Sequence, residues 1–219
     1  MDKGTTSKIQ QVFELLGKLV VLNVLTLVTS LGIVTIIPSF VAAVKTMMDV
    51  NEGTERNLYK RYFINFRDNF KRSFFVGLTY LLIFALFAFA LIYYWILGNG
   101  EGVEETNWSV VASIGFYFSF FILLILILVG SHINMTLNYF NFRFIDVFKF
   151  SFIVVFKMLG KTILAFLMWI ISGFILIYIT GIWFFFGLAL PLYMSYRIYR
   201  PIYAYLSSNK ENQSIEIDE

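Results

Sequence analysis

The stretch Leu19–Val44, LVVLNVLTLVTSLGIVTIIPSFVAAV, contains no Asp, Glu, Lys or Arg. A helix needs about 20 apolar residues to cross roughly 30 Å of hydrocarbon, so this run reads as a membrane span. Near its middle it carries Gly32, five consecutive β-branched residues (Ile33 to Ile37) and then Pro38. Proline has no backbone N–H, and its ring clashes with the carbonyl one turn earlier. The residue before it is pushed towards extended geometry. The run is therefore one span with a kink or a helix restart, or else a discontinuous helix whose freed carbonyls line a cavity.

The rest of the chain agrees with a bilayer setting. Of 219 residues, 59% are hydrophobic, 20% aromatic and 14% charged, and the mean hydropathy is +0.77. Soluble domains carry about 25% charged residues. A chain of this size cannot hide so much apolar surface inside itself. The formal charge of +3 is weak and scattered, which argues against nucleic acid as a partner. There is no Cys and one His, His132, so thiolate and His-rich metal sites are excluded.

Three further stretches lack charged residues: 73–100, 106–142 and 162–196. We expect an all-α polytopic bundle of five transmembrane helices, at about 19–44, 74–97, 110–132, 162–179 and 182–203. Residues 1–206 form one integral membrane domain, and 207–219 an acidic, polar, disordered tail. Asn134, Asn138 and Asn141 mark an interface beyond the third span.

Lys and Arg collect on the cytoplasmic side of membrane proteins. Segments 45–72 and 143–161 are basic, whereas 98–109 holds Glu101, Glu104 and Glu105 and no basic residue. The first two are therefore expected inside, with the C-terminus, and 98–109 outside. Five spans would put the N-terminus outside, against the charge of Lys3, Lys8 and Lys18. A first segment folding back at Gly32–Pro38 would return it inside.

Both basic segments read as amphipathic helices in the interface plane. Leu58, Tyr59, Tyr62, Phe63, Phe66 and Phe70 recur at helical spacing, with Arg56, Lys60, Arg61, Arg67, Lys71 and Arg72 between them. Lys157 and Lys161 belong to the second, Phe-rich segment. Such helices are attracted to anionic lipid and offer a docking surface for lipid or a partner. A shift of 90 residues lays Phe66-Arg67 on Phe156-Lys157 and Lys71 on Lys161, a faint echo of an internal repeat. Gly32, Pro38 and Ser39 are the candidate break or cavity. Asn23 and His132 are the intramembrane polar candidates, read as a helix-to-helix tie and an interfacial hydrogen-bonder. No nucleophile–base pair, phosphate-binding loop or paired intramembrane carboxylate is present, so neither an enzyme nor a cofactor is expected.

The motifs Leu22-Asn23, Leu31-Gly32, Pro38-Ser39 and Phe66 with Phe70-Lys71-Arg72-Ser73 resemble the YesL-like family of small bacterial multi-pass membrane proteins, whose function is uncharacterised. The likeness covers roughly residues 10–80. It departs at Ile37, where the family pattern has Gly before the proline. The resemblance implies a Gram-positive-type plasma membrane. It also implies association with carbohydrate ABC uptake transporters or two-component sensor kinases, whose genes often neighbour the family. The expected function is thus a non-catalytic accessory component, with an ABC permease or sensor kinase, membrane lipids and a homo-oligomer as the partners to consider. The alternatives are a small autonomous transporter or channel using the broken first span, and a lipid-handling protein using the basic segments.

Overall fold

A computed structural model of the chain describes residues 3–53, 57–99 and 107–217, with side chains described for 10–53, 57–98, 110–181 and 183–208. Arg56 and the acidic residues Glu101, Glu104 and Glu105 lie outside the described residues.

The opening run is two helices, not one. Helix α1, Lys3–Thr29, ends where Thr29 and Ser30 turn their hydroxyls back onto the carbonyls of Leu25 and Leu27. Gly32 is extended (φ −79°, ψ 122°), and a 3-10 turn follows at Ile33–Thr35. Helix α2, Ile36–Asn51, then starts afresh with Pro38 in its first turn. A proline there forfeits no hydrogen bond, because first-turn N–H groups have no intrahelical acceptor. The β-branched run and the proline thus mark a helix start. The expected single span at 19–44 is corrected to helices at 10–29 and 33–51.

The chain folds back at this point. Leu15, Lys18, Leu19 and Leu22 of α1 border one small cleft with Met47, Val50 and Asn51 near the far end of α2. The middle of α1 therefore lies beside the α2 C-terminus, the second of the two arrangements weighed from the sequence. Helix α2 stops at Glu52, whose N–H bonds Met48 O, and Gly53 follows at φ 72°, the left-handed position that ends many helices.

Helix α3, Leu58–Asn99, is a single helix of 42 residues, about 63 Å at 1.5 Å per residue. Segment 56–72 was expected to be a separate interfacial helix; from Leu58 on it is continuous with the second span, with no Pro in it and Gly77 held helical against Ile37 of α2. Helix α2 runs antiparallel to its first half. Asp49 meets Arg61, Thr46 meets Asn65, and Ile37 lies against Gly77 so closely that a Cβ there would sit 2.7 Å from Ile37 Cβ. Helix α4, Asn107–Tyr139, runs antiparallel to α3 from Gly98 down to Arg72, with Tyr94 on Gly115, Tyr80 on Gly130 and Arg72 on Leu137. Tyr80 donates to Leu126 O at 3.0 Å.

A short extended link leads to α5, Phe144–Lys157, with Asp146 in its first turn and Lys157 in its last, both favourable to the helix dipole. Helix α6, Leu159–Tyr178, a seven-residue helix α7, Thr180–Phe186, and α8, Ala189–Ile217, complete the fold. The expected disordered tail from residue 207 is helical as far as Ile217.

By length and composition five helices can cross a membrane: Gln10–Thr29, Ile33–Asn51, Leu58–Gly98, Val110–Tyr139 and Leu159–Tyr178. The protein is an all-α, multi-pass membrane bundle. The expected total of five spans recurs with a changed membership. The split first run adds one, and 182–203 drops out because α7 is short and α8 carries Arg197, Arg200 and a polar end. The core gathers at one end of the α3–α4 hairpin. There Leu22, Met47, Tyr62, Met135, Tyr196, Tyr199 and Tyr203 join α1, α2, α3, α4 and α8 in one buried cluster.

Candidate functional site

Helix α4 carries the polar side chains that organise this packed end. At helical spacing, Ser131, His132, Asn134, Thr136 and Asn138 look out onto different neighbours, and His132 and Thr136 are fully buried. His132 Nε2 lies 2.8 Å from Thr162 Oγ1 of α6, and its Nδ1 lies 3.1 Å from the Tyr203 hydroxyl of α8. The same hydroxyl is 3.2 Å from Thr136 Oγ1, which is 3.0 Å from Ser151 Oγ of α5. Ser131 Oγ lies 3.2 Å from the Tyr199 hydroxyl, and the Tyr199 ring lies over the imidazole at 4.2 Å between centroids. Four helices are thereby joined through hydroxyls and one imidazole. Such polar contacts within a bundle replace water that a bilayer interior does not supply. His132 was read as interfacial; it is instead enclosed on all sides, because α4 continues past it to Tyr139 and α6 and α8 close over it.

Asn23 is the helix-to-helix tie expected of it. Its Nδ2 donates to Phe184 O at 2.6 Å, and its Oδ1 accepts from the N–H groups of Leu188 and Ala189, each at 2.8 Å. It thus does for α8 what an N-cap side chain does, from another helix. The break residues separate. Gly32 is exposed at the turn, where its carbonyl accepts the Thr35 N–H at 2.8 Å. Thr35 Oγ1 lies 2.7 Å from Thr29 O and 2.6 Å from Gly32 O, so its one proton can serve the Thr29 carbonyl while Gly32 O keeps the Thr35 N–H. Pro38 and Ser39 are buried, and Ser39 Oγ donates to Thr35 O at 2.7 Å.

The basic candidates also divide. Arg61 joins Asp49 at 2.6 Å, while Asn65 donates to the same carboxylate at 2.9 Å and Lys45 approaches it at 4.0 Å. Arg72 reaches across to the end of α4, donating to Leu137 O, Phe140 O and Phe142 O at 3.3, 2.7 and 3.1 Å. It caps the Leu137 carbonyl in the last turn of α4 and two carbonyls of the link that follows. These two arginines hold the fold. Lys60, Arg67 and Lys71 remain on an exposed face of α3 beside Tyr59, Phe63 and Phe75, with Arg67 paired to Asp68 of its own helix. Lys157 and Lys161 are exposed at the junction of α5 and α6.

Next to the polar network a cavity of about 350 Å³ opens between α2, α3, α4, α6 and α8. Phe40, Tyr80, Phe166 and Trp169 form much of its wall, together with Asn134 of α4 and Ser195 of α8. Phe40 and Trp169 stack at 5.7 Å. Sequence reading placed Asn134 and Asn138 at an interface; both are held inside the bundle, where Asn138 Nδ2 donates to Val41 O at 3.1 Å. The sequence reading also missed Tyr199, Tyr203, Thr136, Thr162 and Asp49. The signals were there: Tyr196, Tyr199 and Tyr203 repeat at helical spacing, and Asp49 is the one acidic residue within α2. Among the described residues, no group of three or more His, Asp or Glu could hold a metal ion.

Residues 19–91 match the family model described as "Protein of unknown function, DUF624", so this third of the chain is similar to that family. No curated protein and no solved structure matches the chain.

Proposed function

We propose that the protein is a non-catalytic accessory component of a bacterial plasma membrane that acts by binding other membrane proteins. The observation that carries this reading is the outer half of the α3–α4 hairpin. Beyond Tyr80 and before Ile127 the two helices pack on each other and present Leu86, Phe89, Trp95, Tyr117 and Phe121 outward. Only 11% of the most apolar window of α3 and 17% of that of α4 is buried within the protein, against 61% for α2. A two-helix arm with aromatic flanks is a surface on which another membrane helix can pack.

The basic residues support an orientation with 45–72, 143–161 and the C-terminus cytoplasmic. The fold-back of α1 on α2 sets Lys18 at the same small cleft as Met47, Val50 and Asn51, in keeping with the positive-inside rule for that end. The YesL-like resemblance supplies the partner class, a carbohydrate ABC permease or a two-component sensor kinase. The test is extraction of the tagged protein from native membranes in mild detergent, followed by mass spectrometry. Near-stoichiometric permease or kinase is the expected result. Recovery of the chain alone, or only with copies of itself, overturns the accessory reading.

The alternative of a transporter working through the broken first span has Ile36, Ile37 and Phe40 at the cavity wall in its favour, and Gly32, which faces outward at the turn, against it.

A further inference from the structure

An open cleft of about 480 Å³ lies between α4 and α5. Ile122, Ile125, Leu126 and Val129 of α4 wall it on one side, and Phe148 and Phe152 of α5 on the other. Lys149 completes the wall and is its one charged residue. Its side chain is exposed and has no ion-pair partner among the described residues, although Asp146 stands one turn earlier on α5. Arg61, Arg67 and Arg72, by contrast, are bonded within the chain.

The cleft lies at membrane depth. Arg72, the last charged residue of α3, donates to Leu137 O near the end of α4. Val129 and Ile122 stand 8 and 15 residues before Leu137, hence about 12 and 22 Å further along the helix at 1.5 Å per residue. A hydrocarbon core is roughly 30 Å thick, so this wall faces lipid tails. An unpaired cation beside such a surface is costly and marks a site for an opposite charge. The methylene stem of Lys149 can line the cleft while its ammonium reaches towards the head groups.

The volume narrows what meets that charge. A helix is about 10 Å across with its side chains, so 480 Å³ takes only about 6 Å of its length, little more than one turn. A flexible hydrocarbon chain fits instead. We propose that the α4–α5 cleft binds an anionic phospholipid, with one acyl chain against Ile125, Leu126 and Phe152 and the phosphate on the Lys149 ammonium. A zwitterionic lipid brings its own cation to its phosphate and gains less from the lysine. The site needs no protein partner, so it stands or falls separately from the accessory reading.

The experiment uses the full chain in phosphatidylcholine vesicles carrying one of two probes, phosphatidylglycerol or phosphatidylcholine with a diazirine in one acyl chain. Adducts are mapped by mass spectrometry. The phosphatidylglycerol probe should label peptides carrying Leu126 or Phe152 about fivefold more than arm peptides carrying Phe89, the weight of one lysine near an anionic surface. The phosphatidylcholine probe should show no such preference. Lys149→Gln should abolish the enrichment and Lys149→Arg keep it, while Lys157→Gln, further along the same helix, should leave it unchanged. Because Lys149 and Lys157 are exposed, these variants should fold like the parent. Enrichment that survives Lys149→Gln, or falls as far in Lys157→Gln, overturns the proposal and leaves a general attraction to basic surface. The same preference from both probes also overturns it and leaves ordinary boundary lipid. Cross-linked copies of the chain in place of lipid adducts overturn it as well, and give the cleft to a second copy.

Discussion

The two halves of the α3–α4 hairpin are about equally rich in aromatic residues and have opposite surroundings. In the inner half, residues 58–77 of α3 and 130–139 of α4 are clasped by α1, α2, α5 and α8, and their polar side chains are bonded across helices. In the outer half, Phe and Leu are more abundant and charged residues are absent; many of the apolar side chains face outward and the helices have little but each other. The difference teaches that apolar composition fixes membrane residence without saying what the apolar surface meets. What separates protein-facing from lipid-facing segments here is the placement of Asp49, Asn65, Arg72, His132 and Asn138. Each is a group too expensive to leave against hydrocarbon.

Breaking the inner half should show the largest effects. Asp49→Leu removes the acceptor shared by Arg61, Asn65 and Lys45, and should lower stability by about 3 kcal/mol, read as a fall in the unfolding midpoint in mild detergent. Arg72→Gln withdraws the guanidinium from three carbonyls at the end of α4 and should cost about 2 kcal/mol. Tests of the network should be milder. Tyr203→Phe keeps the ring and deletes one hydroxyl; bonds of this kind in membrane bundles are worth roughly 0.6 kcal/mol each, so about 1 kcal/mol should be lost. At the small end, Phe89→Leu and Phe121→Leu in the arm should change stability by less than about 0.5 kcal/mol. If an arm substitution destabilised as much as Asp49→Leu, the contrast between the halves would be wrong.

Much of this architecture could be read from the sequence, and the failures have physical causes. Charge-free stretches announced the helical bundle, because length and hydropathy alone set what can cross a bilayer. The same criterion could not tell one kinked helix from two, since Gly32 and Pro38 serve either geometry. The first-turn position of Pro38 became evident only with the turn in place. Segment 58–72 has the face pattern of an interfacial helix, yet amphipathicity is equally what a helix packed on one side displays. Asn23 was legible as a tie, because a lone amide in an apolar run has few other fates. The network around His132 was not, since its partners Thr162 and Tyr203 lie 30 and 71 residues away in the chain. Among the basic residues, sequence could not separate Arg61 and Arg72, bonded into the fold, from Lys60, Arg67 and Lys71, which face outward.

The central claim is that the outer hairpin is a surface for other membrane proteins while the inner half is closed. A photoreactive benzoyl-phenylalanine placed at Phe89, and in a second strain at Tyr199, tests it in native membranes. The account predicts a discrete adduct with another membrane protein from position 89 and none from position 199. Adducts of lipid alone at position 89 would contradict it.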